Sequence, residues 1–151
     1  MSADSLYTPI LIQYSKESRF SSLPPAESIK DYVHIKGNNP VCGDSIEWYV
    51  LFNGDLIKDI RYKVAGCLIS KASAGILCEL IIGKSVTYFS HTFIELKALL
   101  AINKEVIPPS ATKLKENPWM ALVQVKDYPA RQKCALLAWN TLANLIERQS
   151  V

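Results

Sequence analysis

The sequence predicts an α+β domain in which a three-stranded antiparallel sheet packs against several helices. Apolar and polar residues alternate with a period of two through the stretch 28–64, which is typical of strands that bury one face. Asn53-Gly54 interrupts this stretch and is the strongest hairpin signal in the chain. Ser70 then opens a segment rich in Ala, Leu and Ile, which is expected to be helical. The length of 151 residues suits one domain, and we expect a single domain over residues 1–151.

The first half of the chain is expected to hold one helix and all three strands. An amphipathic helix is predicted over residues 5–20, before a Ser- and Pro-rich stretch stops it. The first strand is predicted from Ser28 onward, with a turn at residues 37–40. Asn53 and Gly54 would form a type I′ turn between the other two strands, because both tolerate a positive φ. On their buried faces these strands are predicted to carry Ile46, Trp48, Val50 and Phe52, and then Leu56, Ile60, Tyr62 and Val64.

The second half is expected to be helical. A helix is predicted from Lys71 to Ile82, with Gly83 as its terminator, and a further helix from Val86 to Ile102. Residues 105–127 fit either a short helix or an ordered loop. A last helix is predicted from Ala130 to Arg148. Its buried stripe would consist of Cys134, Leu137, Ala138, Leu142 and Leu145.

Composition argues against several classes of protein. The net charge of +3 is weak and dispersed, and no block of Lys and Arg alternates with aromatic residues, so we expect no nucleic-acid partner. No apolar run approaches the roughly 20 residues of a membrane span, and we expect no membrane partner. The first residues lack a basic head and an apolar core, so we expect no secretory signal and a cytoplasmic protein. In a reducing compartment, the four cysteines are expected to be free, catalytic or metal-bound rather than paired.

Three cysteines and one aspartate are candidate ligands of a zinc-class ion. Cys42 and Asp44 stand two residues apart in a predicted tight loop, and Cys67 precedes a predicted helix whose positive end would favour a thiolate. Cys134 falls in the first turns of the last predicted helix. The gaps of 24 and 66 residues between the cysteines are not those of a zinc finger, so spacing alone does not establish convergence.

Other residues that could carry chemistry have simpler explanations. Cys78 lies 11 residues after Cys67, about 16 Å along a helix, and is interpreted as core packing. His34 is interpreted as a solvent-facing strand residue, and His91 as an exposed helical residue that could still serve as a substitute ligand. Arg131 is a candidate catalytic residue that would orient the site or meet a partner, and the alternative is an exposed charge at a helix start.

Three segments resemble a known family in sequence and in order. They are NPVCGD at 39–44, GCLISKASA at 66–74 and PARQKCALLAW at 129–139, and they resemble the IscU/NifU-like iron–sulfur assembly family over most of residues 5–148. Within that family the chain resembles the SufU type, because the interval before Cys134 is long and lacks both a nearby histidine and a Leu-Pro-Pro-Val-Lys motif. The segment 13–20 follows the family's His-Tyr-x-x-Pro-Arg-Asn pattern only loosely.

The resemblance implies a fold, a cofactor and partners. It implies a SufU/IscU-like fold and a zinc-dependent sulfurtransferase, which takes persulfide sulfur from a SufS-like cysteine desulfurase and passes it to downstream sulfur or cluster acceptors. Zinc would be held by Cys42, Asp44, Cys67 and Cys134, and Cys42, in a loop flanked by glycine, would be the persulfide acceptor. Two alternatives stay open: a scaffold that assembles a transient [2Fe-2S] cluster on the same ligands, and a non-catalytic zinc module that regulates a desulfurase.

Overall fold

The computed structural model describes residues 9–16, 18–41, 43–101 and 117–149. The strands form one three-stranded antiparallel sheet in the order β1-β2-β3, which confirms the predicted α+β class. Two 3₁₀ segments, Ile29–Asp31 and Pro118–Asp127, join longer elements. Those elements are α1 (Pro9–Ser15), β1 (Val33–Asn39), β2 (Asp44–Asn53), β3 (Leu56–Ala65), α2 (Leu68–Ile81), α3 (Val86–Ala101) and α4 (Pro129–Gln149).

The sheet buries one face, as the alternation predicts. Trp48 in the central strand pairs with Ile35 on one side and with Tyr62 on the other, and all three side chains are buried. Ile46 and Val50 complete the buried face of β2, whereas Phe52 is only half-buried. The helices α2 and α4 pack against this sheet, so the core lies between the two layers.

The β2–β3 hairpin forms at the predicted place but with different geometry. The predicted type I′ turn is wrong, because Gly54 has a positive φ of 60° and no described non-glycine residue has a positive φ. A bulge follows, since Leu51 pairs with Asp59 whereas Phe52 pairs with Ile57. The extra residue reverses the alternation at the start of β3. Leu56 is therefore 47% exposed and Ile57 fully buried, the opposite of the predicted face.

Three predictions in the first half also need correction. The first strand begins at Val33 rather than near Ser28, because residues 29–31 form a 3₁₀ turn. Residues 37–39 lie in β1 rather than in a turn, and a Cβ on Gly37 would overlap the side chain of Thr141 in α4.

The first helix ends at Ser15, short of the predicted residue 20. A hydrogen-bonded turn replaces its end, in which Ser18 N donates to Ser21 Oγ at 3.0 Å. Residues 5–8 and 17 lie outside the described part.

The helices of the second half match the predictions closely. The second helix runs over Leu68–Ile81, so it begins three residues before the predicted Lys71. It ends before Gly83, whose φ of 76° suits the predicted terminator. The predicted stripe of α4 is buried at all five positions. Part of the uncertain stretch is a 3₁₀ segment that buries Trp119, Leu122 and Val125. Residues 102 and 105–116 lie outside the described part. None of the helices described is long and apolar enough to cross a membrane.

Two tryptophans fix the position of α4. Trp48 Nε1 in β2 donates to the carbonyl oxygen of Ala138 in α4 at 2.9 Å. Trp139 Nε1 donates to Ser73 Oγ in α2 at 3.0 Å, and Ser73 Oγ donates to the carbonyl oxygen of Ala135 at 2.6 Å. Buried polar groups that find partners in this way favour one arrangement of the elements over others. The last helix is thus held to both the sheet and α2, which sets where Cys134 lies.

Candidate metal centre

Three of the four predicted ligands meet at one end of the sheet. Asp44 is the first residue of β2, Cys67 is the N-cap of α2, and Cys134 lies in the second turn of α4. One potential ligand atom from each lies within 4.8 Å of the others. Residues distant in sequence are brought together because the start of β2, the start of α2 and the first turns of α4 converge here.

The fourth predicted ligand, Cys42, lies outside the described residues, but its turn is defined on both sides. Asn39 Oδ1 accepts a hydrogen bond from Val41 N at 3.2 Å. The carbonyl oxygen of Asn39 accepts one from Gly43 N at 2.8 Å, and Gly43 has a φ of 73°. Val41 is 66% exposed, so the turn carries an apolar side chain into solvent. Asp44 follows this turn directly.

The electrostatics of the cluster favour a cation. Asp44 is only 3% exposed, and the ion pairs found within the described ranges involve other carboxylates. Its Oδ2 instead accepts a hydrogen bond from Ser70 Oγ at 2.5 Å and lies 3.7 Å from Cys67 Sγ. A buried carboxylate is costly unless it is paired or coordinates a metal, and two thiols beside it can add thiolate ligands.

The donor set and its spacing fit a zinc-class ion. Tetrahedral coordination with Zn–S near 2.3 Å places two sulfurs about 3.8 Å apart and a sulfur about 3.5 Å from a carboxylate oxygen. The separation of 3.7 Å between Cys67 Sγ and Asp44 Oδ2 is close to that value. Sulfur ligands select zinc, copper(I) or iron–sulfur clusters, and a carboxylate is the harder ligand among them. The cluster therefore suits a zinc-class ion or iron–sulfur chemistry.

Gly66 leaves the space in which the Asp44 carboxylate lies. A Cβ built on Gly66 would stand 2.5 Å from Asp44 Oδ1 and 2.6 Å from its Cγ, closer than real atoms approach. We expect Gly66→Ala to displace the carboxylate and to weaken zinc binding by about tenfold or more, as a misplaced ligand does. Competition with a chromophoric chelator measures this affinity.

The matched control is Gly54→Ala in the β2–β3 turn. Gly54 also has a positive φ, but a Cβ there meets open space and is remote from the cluster. This control should cost stability and leave zinc affinity unchanged. Equal zinc affinity in Gly66→Ala and wild type would contradict the prediction.

The remaining candidates lie away from the cluster. Cys78 is fully buried in the core, as predicted, and its pKa is raised well above the usual value by burial and by nearby acids such as Glu79. His34 is exposed on β1, also as predicted, where it stacks on Tyr49 at 4.6 Å. His91 is exposed on α3, and the cluster found among the described residues does not include it.

Two basic residues flank Cys134. Arg131 is half-buried in the first turn of α4, and Lys133 is exposed. The structure therefore places positive charge at the helix start that carries Cys134. The predicted catalytic role of Arg131 stays a prediction.

Sequence reasoning missed the residue that contacts Asp44 most closely. Ser70 was predicted only to open the helix, yet its hydroxyl reaches Asp44, Cys67 and the backbone of Cys134. One signal was available: Ser70 stands three residues after Cys67, which places both on one face of α2. The contact with Asp44 was not visible, because it depends on how β2 approaches the helix.

The fold and the cluster together define a class: an α+β domain with a candidate metal centre of Asp44, Cys67 and Cys134 at the junction of sheet and helices. Sequence comparison gives the family. The profile of the NifU-like N-terminal domain matches residues 26–135, and the chain belongs to this family of iron–sulfur cluster assembly proteins, whose members include IscU and SufU.

Individual relatives agree over nearly the whole chain. The iron–sulfur cluster assembly scaffold protein IscU of Thermotoga maritima is 32% identical over 146 residues, which cover 96% of this chain and 95% of that protein. The zinc-dependent sulfurtransferase SufU of Bacillus subtilis is 27% identical over 151 residues, covering 97% and 92%. A solved structure is also similar, that of a putative SUF-system scaffold protein from Fervidobacterium islandicum. It has 30% identity and a TM-score of 0.72, and covers 94% of this chain and 97% of that one.

Proposed function

We propose that this protein is a zinc-dependent sulfurtransferase of iron–sulfur cluster assembly. The observation that carries the proposal is the convergence of Asp44, Cys67 and Cys134 beside the turn that contains Cys42. Similarity to the zinc-dependent SufU of Bacillus subtilis over nearly the full chain supports the same assignment. The active unit is a single domain over residues 1–151, working in the cytoplasm.

Cys42, Asp44, Cys67 and Cys134 would hold the zinc ion. When bound, the ion would keep these cysteines as thiolates at neutral pH. Asp44 and Cys134 are buried and lie on a strand and a helix that packing fixes. Asp44 and Cys134 are therefore the fixed ligands of the centre. The turn at 40–43 lies on the side that solvent and a partner can reach.

Cys42 is the sulfur acceptor in this proposal. Its neighbours Val41 and Gly43 are exposed, whereas Cys134 is fully buried and would need the core to open before it met a partner. The Cys42 thiolate attacks the outer sulfur of a persulfide on the donor. The donor's S–S bond breaks, the electron pair leaves with the donor's own sulfur as a thiolate, and Cys42 becomes the persulfide. No external oxidant or reductant is needed for this exchange.

The donor is a SufS-like cysteine desulfurase, which generates a persulfide from free cysteine. The Cys42 persulfide then passes its outer sulfur to a downstream sulfur or cluster acceptor by the same exchange. Arg131, half-buried three residues before Cys134, orients the site or contacts the desulfurase.

Intact-mass measurement after desulfurase turnover tests the acceptor. Wild-type protein should gain the mass of one sulfur atom after incubation with desulfurase and cysteine, and Cys42→Ala should gain none, because the nucleophile is absent. Cys78→Ala is the matched control and should still gain the sulfur, because Cys78 is buried in the core. Sulfur on the Cys42→Ala protein would refute the assignment of Cys42.

A second candidate function is supported by the IscU scaffold of Thermotoga maritima, which is 32% identical over nearly the full chain. In that function the same three cysteines and Asp44 hold a [2Fe-2S] cluster during assembly. Anaerobic incubation with iron and sulfide separates the two. A stable visible absorbance from a protein-bound cluster, without sulfur accepted on Cys42, would favour the scaffold.

A further inference from the structure

One buried hydroxyl contacts all three described residues of the centre. Ser70, in the first turn of α2, is buried, and its Oγ lies 2.5 Å from Asp44 Oδ2. The same oxygen lies 3.3 Å from the carbonyl oxygen of Cys134 and 3.8 Å from Cys67 Sγ. The hydroxyl therefore stands between the strand and the two helices that supply the ligands.

The hydroxyl proton has one preferred acceptor. A serine hydroxyl carries a single proton, and Ser70 can give it either to the carboxylate of Asp44 or to the neutral carbonyl of Cys134. Hydrogen bonds to an ionised acceptor are shorter and roughly twice as strong as neutral ones. The distances of 2.5 Å and 3.3 Å agree with donation to Asp44.

The carboxylate is hydrogen-bonded through one oxygen, and its other oxygen lies beside Gly66. Ser70 binds Oδ2, and Gly66 provides the space beside Oδ1, where a Cβ would stand only 2.5 Å away. Rotation of the carboxylate would break the hydrogen bond from Ser70 and lose the longer contact of Oδ2 with Cys67 Sγ at 3.7 Å. One orientation of Asp44 is therefore favoured before any ion arrives.

We propose that Ser70 is a positioning residue that presents the Asp44 carboxylate to the metal. This inference rests on the proposed zinc site and adds a residue that is not itself a ligand. Hydrogen-bonding partners of metal ligands typically change metal affinity by about 10- to 100-fold when they are removed. Ser70→Ala should weaken zinc binding within this range, because Asp44 would then have to be oriented when the ion binds.

The chain offers a matched control one turn further along α2. Ser73 is also fully buried and also bonds to α4, since its Oγ donates to the carbonyl oxygen of Ala135 at 2.6 Å. Its hydroxyl also accepts a hydrogen bond from Trp139 Nε1, and no described hydrogen bond joins it to Asp44. Like Ser70→Ala, Ser73→Ala removes a buried hydroxyl of α2 that contacts α4. It leaves the Asp44 carboxylate untouched.

The experiment compares the zinc affinity of full-length wild type, Ser70→Ala, Ser70→Thr and Ser73→Ala by chelator competition. We expect a 10- to 100-fold loss for Ser70→Ala, recovery in Ser70→Thr, which restores the hydroxyl, and a much smaller loss for Ser73→Ala, which loosens α4 but leaves the hydrogen bond to Asp44 intact. The visible spectrum of cobalt(II)-substituted protein should change in Ser70→Ala alone. Urea unfolding of the metal-free variants reports packing losses separately.

Different failures have different meanings. Wild-type affinity in Ser70→Ala, equal losses in Ser70→Ala and Ser73→Ala, or no recovery in Ser70→Thr would each overturn the role of Ser70 and leave the zinc site standing. Wild-type protein that binds no zinc would overturn the proposed function, and the role of Ser70 with it.

Discussion

Zinc at a thousandfold excess over its dissociation constant should raise the free energy of unfolding of the metal-free protein by about 4 kcal/mol. For a chain of this length, that corresponds to a melting temperature higher by roughly 8 to 16 °C. The physical reason is that the buried Asp44 carboxylate and the two nearby thiols form a preorganised cation site only when the protein is folded. Thermal and urea unfolding with and without zinc measure the difference.

Single ligand substitutions identify the source of this stabilisation. Asp44→Ala and Cys67→Ala should each lose most of the zinc-dependent increment at the same zinc concentration, because a donor atom is missing. Cys78→Ala is the matched control: it should lower the stability of both forms through a small cavity and keep the increment. A full increment in Asp44→Ala would mean that zinc binds elsewhere.

Trp139→Ala should cost about 3 to 5 kcal/mol of the free energy of unfolding, the range for a buried large aromatic residue. The indole is fully buried between α2 and α3, with ring centroids 5.7 Å from Phe93 and 6.0 Å from Phe89. Removing it leaves a large cavity and also takes the donor from Ser73. Urea unfolding at fixed pH measures the loss.

Trp139→Phe separates the two contributions. This variant keeps an aromatic ring but loses the N–H and part of the ring area. Loss of the hydrogen bond should cost about 1 kcal/mol beyond the cost of the reduced area. Zinc affinity should fall in Trp139→Ala more than in Trp139→Phe, because α4 carries Cys134. A loss of stability below about 1 kcal/mol in Trp139→Ala would show that the neighbouring side chains collapse into the space.

Much of the fold could be predicted because it is encoded locally. Alternation in β2, the run of Ala, Leu and Ile in α2, the helical spacing in α4 and the glycine after Ile82 each act over a few residues. The bulge at residues 51–52 could not be predicted this way, because it depends on pairing across the hairpin. As a result, Ile57 is buried in the core in place of the predicted Leu56. The early end of α1 was missed because the turn at Ser18–Ser21 replaces helical hydrogen bonds.

The candidate site was predictable in part. The turn before Asp44 and the position of Cys67 before a helix follow from short-range patterns, although Asp44 begins β2 rather than lying in the predicted loop. Family resemblance supplied the expectation that Cys134 joins them, because a gap of 66 residues carries no geometric information. The contacts of Ser70 and Gly66 with the carboxylate were beyond reach, since both depend on the angle at which β2 meets α2.

The hydrogen bond from the Trp48 indole to the carbonyl of Ala138 has a consequence for how the chain can vary in length. A helix turns about 100° for each residue, so inserting or deleting one residue between Cys134 and Ala138 would point the thiol away from Asp44 while the indole still held the helix. Length changes in this short span would abolish the centre even with every ligand retained.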